Sequence, residues 1–146
     1  MNILVINGPN LNLLGERDTE IYGLETLEEL MMWIENSTQG KNQNFKFYQS
    51  NHEGEIIDIL HDEREWAQGV VINAGAYSHY SYAIRDAIEA IKIFTVDVHL
   101  SDINNREKFR KNNVIKDVCI QTISGKGKLV YLEAIECLKN KYINEK

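Results

Sequence analysis

Five short runs of apolar, largely β-branched or aromatic residues alternate with segments of helical periodicity, and this alternation restricts the fold more than any other feature. The runs are "NILVI", "FKFY", "VVIN", "IFTVDVHL" and "VCIQTI". Compact apolar runs of this kind suit strands buried on both faces of a parallel sheet. Between them Leu27, Leu30, Met31 and Ile34 repeat at i, i+3, i+4 and i+7, as do Ile84, Ala87, Ile88 and Ile91, and then Tyr131, Ala134, Ile135 and Leu138. Each stripe covers one face of a helix, and core packing is its first meaning. Thr26 followed by Glu29 has capping-box spacing and marks where the first of these helices starts. A weaker helix is predicted over roughly residues 54 to 66, and another beginning near Asn104 or Asn105.

Five strand-helix units predict an α/β fold of the flavodoxin-like kind, an open five-stranded parallel sheet with helices on both faces. No linker, repeat or low-complexity segment divides the 146 residues, so 1–146 is expected to be a single domain. A formal net charge of -6 argues against general affinity for nucleic acid or anionic membranes, so any anionic partner must be held by local charges. No apolar run approaches the roughly 20 residues of a spanning helix, and "MNILVINGPN" has no basic leader. Cys119 and Cys137 are too few and too far apart for a disulfide framework or a zinc site, which leads to reduced thiols and a cytoplasmic protein.

In open α/β sheets ligands bind beyond the carboxyl ends of the strands. The first strand delivers the loop "GPNLNLLGERDTEIYG" to that edge, the third delivers "INAGAYSH" and the fourth "DVHLSD". Asn10, Arg17, Tyr22, Asn73, His79, His99 and Ser101 are thereby expected to converge. A free tyrosine, with a pKa of about 10, is nearly all neutral at pH 7 and acts as a base only when a cation stabilises its phenolate. An arginine in the same loop supplies such a cation, and Gly15 and Gly23 let the loop close and exclude water. The plainer meaning of the loop is a surface segment whose tyrosine packs on the domain.

His61 lies on a charged helix and reads as solvated, whereas His52 is placed to cap or orient the turn before the second helix. His79 and His99 follow apolar strands beside small or hydroxyl residues, where an imidazole can hold a substrate oxygen or give it a proton. No compact metal-ligand motif accompanies them. Arg106 and Arg110 stand four apart, on one face if that segment is helical, which suits an anion or simply a solvated surface. Asp86, one turn from Tyr82, is suited to accept substrate hydroxyls or to pair across a subunit contact.

Four ordered blocks, "GPNLNLLGERDTEIYG", "YQSNHEGEIID", "INAGAYSHYSYAIRDAI" and "DVHLSDINNREKFR", together resemble the type II 3-dehydroquinate dehydratases of the shikimate and quinate pathways. The likeness runs from Asn2 to about Leu138, with "ISGKGKLVY" matching a weaker C-terminal signature. It implies reversible dehydration of 3-dehydroquinate to 3-dehydroshikimate through an enolate, with neither metal nor organic cofactor. The catalytic positions it implies are Tyr22 as base, Arg17 as partner of the phenolate, Asn10 holding a water against the enolate and His99 as general acid. Asn73, His79, Asp86, Leu100, Ser101 and Arg110 match substrate-binding positions, and Arg106 is carried over only as a supporting residue. The resemblance also implies a homododecamer, a tetramer of trimers, with Asp86 reaching a neighbouring subunit's site. Asp97 stands where the family often has glutamate, so its contact with His99 is expected to be looser or water-mediated. Asp102 replaces a frequent asparagine, Thr19 a common proline, and Lys126 with Lys128 makes the C-terminal signature more basic.

Other function classes use such a fold, because architecture alone does not fix function. A small-ligand module binding phosphate or flavin would need a glycine-rich cradle after the first strand, and a signalling receiver an acidic cluster there. The chain has neither. A catalytically silent scaffold is the remaining alternative, opposed by intact Arg17, Tyr22 and His99.

Overall fold

The computed structural model describes residues 1–145. Its sheet has five parallel strands, β1 (Asn2–Asn7), β2 (Asn44–Gln49), β3 (Gly69–Asn73), β4 (Thr95–His99) and β5 (Gln121–Ser124), in the order β2-β1-β3-β4-β5. This is the flavodoxin-like arrangement expected from the alternation. β3 and β4 are buried along their whole length, which is why their runs are continuously apolar rather than alternating.

Two apolar layers cover the sheet. On one face α2 (Leu27–Glu35) and α5 (Leu129–Asn144) set Leu30, Met31, Ile34, Tyr131, Ala134, Ile135 and Leu138 against Ile3, Val5, Val71 and Val96. On the other, α3 (Glu53–Asp62) and α4 (Tyr82–Ile91) set Ile56, Ile59, Leu60, Ile84, Ala87 and Ile88 against Leu4, Ile6, Val70 and Ile72. Adjacent residues of each central strand thus feed opposite cores, as the two-residue period of a strand requires. α2 starts where the sequence places it, with the Thr26 hydroxyl accepting from the Glu29 amide at 3.2 Å. α3 ends at Asp62, short of the predicted residue 66. His52 is its N-cap by backbone position, but its side chain makes no capping hydrogen bond.

The segment between β4 and β5 departs from the expected fourth crossover helix. Instead of an α-helix from Asn104 or Asn105 it holds three short 3-10 turns, Ile103–Asn105, Lys108–Lys111 and Lys116–Val118, and β5 begins only at Gln121. "NNREKFRKNN" has a single apolar residue, Phe109, and that side chain is exposed. Without an apolar stripe to bury, a helix gains too little from packing to offset its ordering cost. The irregular path instead hangs over the carboxyl ends of the strands.

Between β1 and α2 the chain makes a 3-10 turn, Leu11–Leu13, and a one-turn helix α1 (Thr19–Tyr22). Gly15 is fixed by two constraints. Its φ is 90°, and a Cβ there would lie 2.9 Å from the Leu24 carbonyl oxygen, so the two ends of this loop meet at a residue that must be glycine.

Candidate active site

The strand order reverses between β1 and β3, and the loops leaving these two strands open the crevice that such a reversal creates. Gly8 lets them touch: its amide donates to the Asn73 carbonyl at 2.7 Å, and a Cβ would fall 2.6 Å from the Ala74 oxygen. Beneath the crevice Tyr131, wholly buried, donates its hydroxyl to Asn7 Oδ1 at 2.5 Å and accepts from Asn73 Nδ2 at 3.3 Å. Asn73 Oδ1 in turn accepts from the Gly75 amide. Burial pushes the Tyr131 hydroxyl far above its ordinary value, so it stays neutral and acts as a fixed bridge between the two strand ends.

The lining of the crevice includes Asn10, Arg17, Tyr22, Asn73, His79, His99, Leu100, Ser101 and Arg110, together with Arg106 and Ile103. Residues from the three segments that leave β1, β3 and β4 therefore meet as the sequence anticipates. Asp86 does not join them. It is exposed on α4 and is not among the residues lining this chain's crevice.

The two histidines are held in opposite tautomers. His79 Nδ1 lies 2.7 Å from the carbonyl oxygen of Asn112, which can only accept, so the proton is on Nδ1 and Nε2 is left as an acceptor. His99 Nε2 lies 3.0 Å from Asp97 Oδ2, which places its proton on Nε2 and leaves Nδ1 for the crevice. The looser contact expected from the shorter aspartate is not what the structure has: Asp97 reaches the imidazole directly.

Burial, the largest influence on His79, lowers its pKa below the ordinary 6.5, while the bond to the Asn112 carbonyl works the other way. The unfolded chain therefore protonates this imidazole at pH values where the folded chain keeps it neutral. Its contribution to stability is complete above 6.5 and is lost as pH falls through the lowered folded value. Imidazole proton resonances followed against pH should give a His79 midpoint below 6.5. A midpoint at or above that value would show that burial does not govern this ring.

Tyr22 sits between two guanidinium groups. Arg17 lies over its ring, 4.9 Å from the centroid, and pairs with Asp18 at 3.4 Å. The hydroxyl itself is met by Arg106, whose Nη1 is 2.6 Å away and whose Cζ is 5.7 Å from the ring centroid. Arg106 also reaches Ser101 Oγ at 3.4 Å. The residue carried over only as a supporting one is thus in direct contact with the phenol, and Arg17 takes the ring face. The four-residue spacing had singled Arg106 out, but nothing local pointed it at Tyr22. Arg110 donates to Glu107 at 2.5 Å and lines the same crevice from the second 3-10 turn of the β4–β5 segment.

The Tyr22 hydroxyl, met by a guanidinium, and the His99 imidazole, backed by a buried carboxylate, thus line one crevice. Three arginines give the crevice a positive lining in a chain of net charge -6. Among the described residues no cluster of three or more His, Cys, Asp or Glu side chains is placed to hold a metal, and no helix is long and apolar enough to cross a membrane.

The family model "Dehydroquinase class II" matches residues 1–139. A Thermotoga petrophila protein named 3-dehydroquinate dehydratase is 50% identical over 141 residues, covering 97% of this chain and 96% of its own. One of the same name from Caldicellulosiruptor saccharolyticus is 52% identical over 138 residues, covering 94% and 95%. The crystal structure of a type II dehydroquinase from Butyrivibrio crossotus superimposes with a TM-score of 0.92 at 48% identity, over 95% of this chain and 97% of that one.

Proposed function

The chain belongs to the class II dehydroquinase family, and from that premise we propose how its own residues carry the elimination of water from 3-dehydroquinate. The chain is a hydro-lyase, a 3-dehydroquinate dehydratase. A proton beside a ketone is weakly acidic, so its removal needs a base together with stabilisation of the developing enolate oxygen. Tyr22, as phenolate between Arg106 and Arg17, takes that proton. The enolate oxygen is met through a water held by Asn10 and the neighbouring backbone. Asn10 is fixed for this in a left-handed conformation, φ 69°, its amide donating to Asn51 Oδ1 at 3.0 Å.

When the enolate collapses, the new carbon-carbon double bond forms as the bond to the β-hydroxyl breaks. His99, acting as imidazolium with Nε2–H held by Asp97, gives that oxygen the proton of Nδ1 and it leaves as water. One proton has then passed to Tyr22 and one has left His99, so the cycle closes by returning the proton from the phenol to the imidazole through solvent. Neutral His79 accepts a substrate hydroxyl on Nε2, and Arg110 faces the substrate carboxylate. Asn73, Leu100 and Ser101 complete the wall.

The chain works, in this reading, in the cytoplasm as a dodecamer built from trimers, supplying the shikimate or quinate route. Exposed Asp86, with Tyr82 exposed one turn away, suits a contact that completes the site of a neighbouring copy.

The observation that carries the mechanism is the 2.6 Å contact between Arg106 and the Tyr22 hydroxyl. The reaction is tested by adding 3-dehydroquinate to purified protein, with and without EDTA, and following the ultraviolet absorbance of the conjugated enone. Appearance of 3-dehydroshikimate at the same rate in both is expected. Absence of product from folded, assembled protein would favour a silent scaffold, and a rate abolished by EDTA would introduce a metal into the chemistry.

A further inference from the structure

We infer that Asn113 is a positioning residue for the reaction: through Asp97 it fixes the imidazole of His99, with Thr122 as its lesser partner. The inference rests on the reading of His99 as the general acid. Asp97 is fully buried on β4, and its Oδ2 receives three donors, His99 Nε2 at 3.0 Å, Asn113 Nδ2 at 2.6 Å and Thr122 Oγ1 at 3.2 Å. Its other oxygen, Oδ1, has no hydrogen-bond partner among the described residues. The donors converge on Oδ2, and Asn113 makes the shortest of the three contacts. A buried carboxylate that loses a donor is left under-compensated and free to turn, and its hold on the imidazole loosens.

The orientation of the Asn113 amide is fixed independently of Asp97. Its Oδ1 accepts from the Ile115 amide at 3.2 Å, so Nδ2 must be the atom facing the carboxylate. Ile115 is itself wholly buried, and the next residue back, Val114, donates its amide to the Ser78 carbonyl at 2.8 Å and accepts from Arg85 at the same distance. This anchoring makes the segment a rigid arm. Its neighbour Asn112 supplies the carbonyl that fixes His79, so the two adjacent asparagines of "RKNNV" set both imidazoles, one through a main-chain oxygen and one through a carboxylate. Thr122 is placed by the sheet, since it is the β5 residue in register with Asp97.

The test is a double-mutant cycle read as kcat and KM separately. Asn113→Ala is expected to lower kcat about tenfold or more, the effect of deleting a hydrogen bond to a charged group, with KM unchanged. In an Asp97→Asn background the same substitution should produce little further loss, because its route to His99 is gone. Thr122→Val, which keeps the strand-forming shape, should show a smaller loss with the same dependence on Asp97. Should Asn113→Ala fail to fold, Asn113→Asp serves in its place: it keeps the acceptor for Ile115, replaces the donor by an oxygen and sets a second carboxyl group against Asp97, so it should lower kcat by more. An unchanged kcat in the folded Asn113 variant, or a loss that persists undiminished beside Asp97→Asn, would overturn the inference. Full turnover by His99→Gln would instead overturn the reading of His99 as the acid, so the two failures are distinguishable.

Discussion

Tyr22→Phe is expected to lower kcat by about 10³-fold, within the range that a positioned general base contributes, while substrate still binds. The substitution removes one oxygen. The ring that packs partly against the α2–α5 layer remains, and so does its face toward Arg17. Arg106 loses its acceptor at 2.6 Å but keeps Ser101 Oγ at 3.4 Å and its proximity to Glu107, so it is not stranded. Folding should therefore be little affected, and thermal unfolding of the variant provides that control. Calorimetric titration of the inactive variant with 3-dehydroquinate should give an affinity close to the parent KM if chemistry is slow relative to release. A kcat within about tenfold of the parent, too small a loss for a general base, would take the proton-abstracting role away from Tyr22. Equal losses in kcat and in binding would make the hydroxyl a substrate contact instead.

How much of this was legible beforehand differs by the range over which each feature is encoded. The helices α2, α4 and α5 are written in local apolar spacing, and the structure buries those stripes as read. The convergence of Asn10, Arg17, Tyr22, Asn73, His79, His99 and Ser101 follows from strand direction alone, once the sheet is parallel, whereas Leu100 and Arg110 were legible only through the family resemblance. What escaped is specified by partners distant in sequence. Arg106 and Tyr22 are 84 residues apart, and no period connects them. The hydroxyl of Tyr131 is invisible to a stripe that counts it as core, although it joins Asn7 to Asn73 beneath the site. The four-residue spacing of Arg106 and Arg110 suggested one helical face, yet Arg106 lies in the extended bend after one 3-10 turn and Arg110 within the next, in a segment that packing never made helical. Asp97 shows the same limit in reverse: side-chain length alone suggested a loose contact, whereas donors from Asn113 and Thr122 hold a tight one.

Arg106→Gln separates the two arginines around Tyr22. Arg17 shares its charge with Asp18 and approaches the ring face, whereas Arg106 is the less exposed of the two, 16% against 28%, and touches the hydroxyl oxygen itself. A unit charge about 4 Å from another at an effective dielectric of 20 contributes about 4 kcal/mol, and each 1.36 kcal/mol is a factor of ten in rate. Glutamine keeps a donor but no charge, so part of the hydrogen bond survives, and kcat should fall about 10²- to 10³-fold when only the electrostatic share is lost. Arg106→Lys restores the charge without the planar fork, and it should recover part of the rate. If Arg106→Gln leaves kcat unchanged, the contact at the hydroxyl does not support the base, and the supporting cation is Arg17 acting across the ring.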